Sequence, residues 1–264
     1  MLDIHRLLDA TVKVAYQAGE RILTVYNEDF HVEQKADNTP LTAADMAAHR
    51  AIVDGLTSLT PDIPILSEES EHISFAERQS WNEYWLVDPL DGTREFIKRN
   101  EEFTVNIALV RGHEAVLGVI YAPVLGKIYY AAKGKGSYKR VALNKAQAIH
   151  VQATRRDKLI VAGSRSHHSR EFKKFIEHFP AHEQINMGSA LKSCLVAEGK
   201  IDIYPRLGPT SEWDTAAAQC IVEEAGGMLT DTSMQRLQYN TKSELLNPHF
   251  FVFGDVSVDW SQYL

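Results

Sequence analysis

Residues 85–94 read W-L-V-D-P-L-D-G-T-R, an apolar run that ends in two aspartates three positions apart. Trp85, Leu86 and Val87 suit a buried strand. Pro89 disfavours the helical region for Asp88 and keeps it extended, and Gly92 permits a tight turn. Asp88 and Asp91 are therefore expected at the carboxyl end of a strand, where sheets flanked by helices usually carry their sites. Thr93 and Arg94 would open the next helix, whose first N–H groups suit a phosphate. Two carboxylates and the carbonyl of Leu90 form a hard oxygen donor set of the kind Mg²⁺ takes. Taken alone, D-P-L-D also describes a turn with a helix cap.

Two further acidic features bear on that choice. Ser67-Glu68-Glu69-Ser70 follows the short apolar run P-I-L, so Glu68 and Glu69 also lie just past a strand end. Trp213-Asp214 opens the alanine-rich stretch A-A-A-Q-C-I-V-E-E-A-G-G. In isolation Asp214 reads as a helix N-cap and Glu68-Glu69 as a solvated pair. Taken together, acidic groups at the ends of elements from separate segments are what a two-metal centre requires.

Outward from these motifs the chain reads as α/β. Leu7, Leu8, Val12, Ala15, Ala18, Ile22, Leu23 and Tyr26 recur at helical spacing, predicting a long amphipathic first helix. A second helix is expected after Pro40-Leu41-Thr42, with Ala44, Ala48, Ile52 and Leu56 inward, ended by Thr60-Pro61-Asp62. Residues 63–66 and 84–87 suit buried strands; 103–110, 115–121 and 127–132 suit a meander broken at Gly112, Gly126 and Gly134. From Leu159 the rhythm becomes strand, helix, strand, helix, with a helix expected from Ser189, a strand at 201–204 and a long helix over 213–225. The expected division is an α+β half, 1–150, carrying most of the acidic motifs, and a smaller α/β half, 151–264.

Composition narrows the function classes. The 264 residues carry 28 basic and 35 acidic side chains, a formal charge of −7, which disfavours a nucleic-acid binder with a basic face. It leaves room for an anionic substrate, because divalent cations on a carboxylate cluster reverse the local field. Cys194 and Cys220, both in apolar helical stretches, are expected to be buried thiols rather than a disulfide. The N-terminus lacks a signal-peptide pattern, and no apolar run approaches the ~20 residues of a membrane span. A soluble, cytoplasmic protein is expected.

D-P-L-D-G-T at 88–93, W-D-T-A-A-A-Q-C-I-V-E-E-A-G-G at 213–227 and the E-E pair at 68–69, in that order, resemble the motifs of the inositol-monophosphatase-like, lithium-sensitive magnesium phosphatases. The resemblance implies their layered αβαβα sandwich. It also implies that Glu68, Asp88, the Leu90 carbonyl, Asp91 and Asp214 hold two Mg²⁺ ions, with Asp88 bridging them. Glu69 is the candidate for a third ion. Thr42-Ala43-Ala44-Asp45 matches the family's T-x-A-D motif, so Asp45 and Thr93 are the candidates for activating water. Without the family, Asp45 would pass for a helix-surface residue. Inhibition by lithium and calcium is implied.

Within that family, K-A-D-N-T-P-L-T-A-A-D at 35–45, W-L-V-D-P-L-D-G-T-R-E-F-I-K-R-N at 85–100, F-T-V-N-I-A-L at 103–109, G-S-R-S-H at 163–167, G-S-A-L-K at 188–192 and the stretch 196–217 resemble the bacterial CysQ-type 3′(2′),5′-bisphosphate nucleotidases. A bisphosphate nucleotide carries a second phosphate that needs its own cationic site. The resemblance puts nucleotide contacts on His167, Ser189, Lys192 and Arg206, beside Gly92, Thr93, Arg94 and the metal-site residues Glu68, Asp91 and Asp214. Lys192 also reads as a solvated lysine and His167 as a surface histidine. Arg94 stands where close relatives carry Lys, and Ala218 where many carry Gly; the first change alters how the charge is presented. The implied reaction is Mg²⁺-dependent hydrolysis of adenosine 3′,5′-bisphosphate to AMP, with its sulfated analogue as a second substrate, in sulfate assimilation. The alternatives are an inositol or sugar-phosphate phosphatase on the same metal centre, and a non-catalytic metal- or nucleotide-sensing module. An oligomer and loose association with the inner face of the membrane are compatible with the resemblance.

Overall fold

The computed structural model describes residues 3–28, 32–34, 40–70, 73–165 and 170–264. The helical period at the start becomes α1 (Ile4–Tyr26), whose first turn is capped by the Asp3 carboxylate accepting from the His5 N–H. After the short antiparallel pair β1 (Val32–Gln34) and β2 (Pro40–Thr42) comes α2 (Ala43–Leu59). Its predicted inward residues, Ala44, Ala48, Ile52 and Leu56, are all buried.

Seven strands follow one another in a single sheet: β3 (Ile65–Ser67), β4 (Glu83–Asp91), β5 (Thr104–Arg111), β6 (Glu114–Ala122), β7 (Lys127–Ala132), β8 (Ser137–Val141) and β9 (Gln147–Ile149). β3 pairs parallel with β4; every later pair is antiparallel. Short helices α3 (Phe75–Arg78) and α4 (Thr93–Ile97) flank β4. Both faces are buried along β4 to β7, which is why those strands read as nearly unbroken apolar runs rather than alternating ones. Trp85, Val87, Val105, Ile107 and Val119 pack on α1 and α2, whereas Leu86, Ala108, Val110 and Ile120 face the other way.

The second sheet has the order β11 (His182–Met187), β10 (Leu159–Ser164), β12 (Ile203–Arg206), β14 (Phe250–Phe253), β13 (Met228–Asp231). Helices α6 (Leu191–Ala197) and α7 (Glu212–Glu224) lie between the sheets, their Cys194, Ala216, Ala217 and Ile221 sharing one core with Leu86 and Ile120 of the first sheet and Val252 of the second. α5 (Arg170–Glu177) and a 3₁₀ turn at Trp260–Tyr263 cover the outer face through Phe172, Phe175 and Trp260 against Val161, Ile203 and Phe251. The layers are thus αβαβα, as the resemblance implied. Cys194 and Cys220 are buried and unbridged.

Two local expectations are corrected, one reading of an isolated residue is set aside, and one strand was not foreseen. β4 continues through Asp91 with a register shift between Asp88 and Asp91, rather than ending at Val87. The helix expected from Ser189 begins at Leu191, because Ser189 takes φ 47° and breaks it. Asp214 is not the N-cap of α7: Ser211 is, and Asp214 completes its capping box three residues on. β11, an edge strand reading H-E-Q-I-N-M, has too few apolar residues to announce itself.

Candidate functional site

The irregularity in β4 shapes the site. Asp88 turns back on its own chain, its Oδ1 accepting from the Leu90 N–H at 3.0 Å, and Gly92 at φ 92° swings the chain into α4. A side chain at Gly92 would be both strained and crowded against the Glu102 carbonyl at 3.2 Å. Asp91 is aimed by two donors onto one oxygen: the Asn106 amide at 3.3 Å and the Ala190 N–H at 2.6 Å, both reaching Oδ2. Asp214 is held by its capping box, Oδ2 accepting from the Ser211 N–H at 2.8 Å.

These three aspartates converge, with one oxygen from each inside a 4.8 Å group. Asp88 is buried, and the half-buried Asp91 and Asp214 line a cleft of about 300 Å³. Burial, then the charges of Glu68, Asp91 and Asp214, hold Asp88 well above the usual carboxylate range. Burial, with Asp91 and Glu68, pushes Asp214 up to about 7. None of the three forms an ion pair among the described residues. Three clustered carboxylates that are costly to ionise without a cation, beside the Leu90 carbonyl, match a hard divalent ion such as Mg²⁺.

Other predicted residues fall around the same cleft. Glu68, Leu90, Gly92, Thr93, Arg94, Ser189, Lys192 and Arg206 all line it. Glu69, the candidate for a third ion, is outside the lining; its N–H turns toward the Ser67 hydroxyl at 3.4 Å. His167 lies outside the described residues. Asp45 is no surface residue: it is 2% exposed, its Oδ2 accepting from the Thr42 N–H at 2.7 Å and hydroxyl at 2.6 Å. Its other oxygen accepts from the Thr93 hydroxyl at 3.2 Å, joining the T-x-A-D and D-G-T motifs across 48 residues.

The cationic end of the cleft is equally specific. Lys192 is 5% exposed, its Nζ donating to the Ser189 carbonyl at 2.6 Å and 5.2 Å from the Tyr204 ring centroid. Burial lowers it to about 8 against the opposing pull of Asp91, so Lys192 is a buried amine rather than a solvated one. Arg206 spends Nε on the Thr210 hydroxyl at 2.6 Å and Nη2 on the Pro209 carbonyl at 2.8 Å, which fixes the loop around it. The Ser189 hydroxyl is buried and meets no partner among the described residues. Reading the sequence missed Asn106, Tyr204, Ser164, Ser193 and Thr210. Asn106, Ser164, Tyr204 and Thr210 lie within stretches that carry the family resemblance, at 103–109, 163–167 and 196–217, but nothing in those stretches singled them out.

The sequence matches the profile of the Inositol monophosphatase family over residues 3–252. It is 47% identical to the 3′(2′),5′-bisphosphate nucleotidase CysQ of Escherichia coli O6:H1, over 93% of this chain and 99% of that one. The corresponding protein of Haemophilus influenzae is 43% identical over 98% and 97% of the two chains. Among solved structures, CysQ from Bacteroides thetaiotaomicron superposes with a TM-score of 0.82 at 43% identity, covering 93% of this chain and 96% of the other.

Proposed function

This chain belongs to the inositol monophosphatase family, and from that premise we propose that it hydrolyses the 3′-phosphate of adenosine 3′,5′-bisphosphate, releasing AMP and phosphate in sulfate assimilation. The sulfated analogue is a second candidate substrate. The observation that carries the reading is the pairing, within one cleft, of a three-aspartate cluster with a buried lysine and a half-buried arginine. A monoester with one phosphate needs only the first; a bisphosphate uses both.

In this reading residues 1–150 supply Glu68, Asp88, the Leu90 carbonyl and Asp91, and residues 151–264 supply Asp214 and the nucleotide contacts. Together the five oxygen donors hold two Mg²⁺ ions. Bound there, the metal neutralises phosphoryl charge and acidifies a water. The Thr93 hydroxyl gives its proton to the Asp45 carboxylate in a hydrogen bond, which leaves its lone pairs to orient the attacking water and pass a proton toward Asp45. Asp45 is rigid because Thr42 holds its other oxygen twice. Lys192, Arg206 and Arg94 meet the second phosphate, Lys192 as a point charge and the arginines through planar forks. The Ser189 hydroxyl, which meets no partner among the described residues, is available to it. No helix among the described residues is long and apolar enough to cross a membrane, and we infer a cytoplasmic location.

A substrate panel with and without Mg²⁺ tests the proposal. Adenosine 3′,5′-bisphosphate is expected to be turned over at least about tenfold more efficiently than inositol 1-phosphate, a gap of about 1.4 kcal/mol. A preference for inositol phosphate moves the substrate to the sugar-phosphate class. No Mg²⁺-dependent phosphate release from any ester would make the protein a sensor.

The raised carboxylates also predict how metal and pH act on stability. Asp214 sits near 7 in the folded protein against about 3.9 when unfolded. A raised group contributes stability that is full below its unfolded value and lost as pH climbs through its folded one. The metal-free protein therefore loses stability between about pH 4 and 7, and Mg²⁺ restores it by binding the ionised set. The rise in Tm on adding Mg²⁺ should be small at about pH 5 and larger at about pH 8. An equal rise at both would remove the aspartate cluster as the binding site.

A further inference from the structure

Residues 187–192 form the turn that presents Ser189 and Lys192 to the cleft, and three side chains pin its backbone. Asp91 Oδ2 accepts from the Ala190 N–H, and Lys192 Nζ donates to the Met187 and Ser189 carbonyls. The third anchor is Glu102, whose Oε2 accepts from the Gly188 N–H at 2.7 Å. Asp91 and Lys192 face the cleft, but Glu102 stands behind its wall.

Glu102 reaches a second segment of the same wall. Arg165 follows the cleft-lining Ser164 at the end of β10 and forks onto the Glu102 carboxylate, Nε at 2.7 Å and Nη2 at 2.6 Å, while Nη2 also donates to the Asn186 carbonyl at 3.2 Å. The backbone around Glu102 leaves no slack: a Cβ at Gly188 would lie 2.7 Å from the Glu102 carbonyl and 2.8 Å from Glu95 Cγ. One carboxylate on the first half of the chain thus fastens two segments of the second half. The turn it fastens contains Ser189 at φ 47°, a conformation that a serine keeps only when its neighbours impose it.

We propose that Glu102 is a positioning residue that sets selectivity for esters carrying a second phosphate, by locking the 187–192 turn and the end of β10 into the cleft wall. This rests on the bisphosphate reading above. The scissile end has anchors outside this turn: Leu90 holds Asp88, and Ser211 holds Asp214. Asp91, which shares the Ala190 N–H with the turn, is also held by Asn106, so the aspartate cluster stays ordered when Glu102 is removed. Two effects oppose each other in such a variant. Loosening the turn weakens the grip on the second phosphate, while freeing Arg165 adds a positive charge nearby. Arg165 is 46% exposed, so that charge is screened and the loss of geometry dominates.

The test measures kcat and KM for adenosine 3′,5′-bisphosphate and for adenosine 3′-monophosphate in the wild type, Glu102→Ala, Glu102→Gln and Arg165→Ala. Glu102→Ala is expected to raise KM for the bisphosphate about tenfold with kcat within about threefold, and KM for the monophosphate by less than about twofold. Glu102→Gln should recover most of the loss, since its amide oxygen still accepts from Gly188. Arg165→Ala should give the same split at smaller size, and it decides the matter if Glu102→Ala does not fold. Equal KM changes for both esters, a fall in kcat without a KM split, or wild-type values throughout would overturn the proposal. A wild type that does not prefer the bisphosphate overturns the substrate reading beneath it, and that is seen before any variant is made.

Discussion

Asp91→Asn is expected to abolish hydrolysis, with at least a thousandfold or so loss in kcat/KM, while leaving the protein folded. The two outcomes come from different oxygens of one side chain. Oδ2 takes both structural hydrogen bonds, from Asn106 and Ala190. An asparagine oxygen can still accept both, without the charge assistance of a carboxylate, so β4 and the 187–192 turn keep their connection. The amide nitrogen then takes the place of the other carboxylate oxygen, in a residue whose carboxylate converges with Asp88 and Asp214. There it removes one negative charge from a buried cluster and offers donors to its neighbours. In the absence of Mg²⁺ the variant should be as stable as the wild type or more so, because less charge is buried. With Mg²⁺ its Tm should rise less, since a cation gains nothing from a neutral nitrogen whose hydrogens point at it. Phosphate release in excess Mg²⁺, read beside the two melting curves, checks all three expectations. Wild-type turnover by Asp91→Asn would remove the aspartate cluster from the chemistry.

What could be read in the sequence divides along a physical line. Asp88 and Asp91 were legible because strand, proline and glycine act on their immediate neighbours, so local rules place both carboxylates. α1 and α2 were legible because a face buried against a sheet imposes its period on the chain. Asp45 was not legible from its own residues: its burial and its bond to Thr93 depend on α2 packing beside β4, and only the family resemblance pointed to it. Asn106 sits in the quoted stretch F-T-V-N-I-A-L, yet nothing local gives it a role; it matters because strand pairing sets it opposite Asp88 and within reach of Asp91. Glu102 acts through the N–H of Gly188, 86 residues away, a donor that no residue pattern announces. β11 was missed for a related reason, since a half-exposed edge strand leaves little hydrophobic imprint.

The chemistry and the specificity therefore stand on different foundations. Carboxylates must converge for a divalent ion whatever the ester, so the acidic motifs mark the reaction. In the proposed reading, recognition of the ester falls to the turn at 187–192 and the loop at 206–210, whose shapes are set by backbone hydrogen bonds to Glu102, Asp91, Lys192 and Arg206. These shapes are tertiary facts, and the resemblance supplied their residue names without their causes.

The largest effect on stability is expected at a residue with no side chain. Gly118 lies in β6 where α7 crosses the sheet, and a Cβ there would lie 2.3 Å from the Ala217 carbonyl oxygen and 3.0 Å from its Cα. Both obstructing atoms are backbone, so no rotamer change relieves the clash. Gly118→Ala must push the helix off the sheet, against a core in which Ala216, Ala217, Ala218 and Ile221 are nearly or fully buried. Overpacking of this kind costs about 3 kcal/mol, or roughly 6–12 °C in Tm for a chain of this size. Because α7 carries Asp214 in its first turn, activity should fall as well, by about tenfold to a hundredfold for a displacement near 1 Å. Gly19→Ala makes the comparison informative. Its Cβ would also come within 2.3 Å of an atom, but that atom belongs to the Tyr121 ring, and α1 gains about 1 kcal/mol from replacing glycine in mid-helix. Its Tm should drop by less than half as much, with activity largely kept. Equal drops in the two variants would mean that backbone contact between β6 and α7 is not what fixes the helix bearing Asp214.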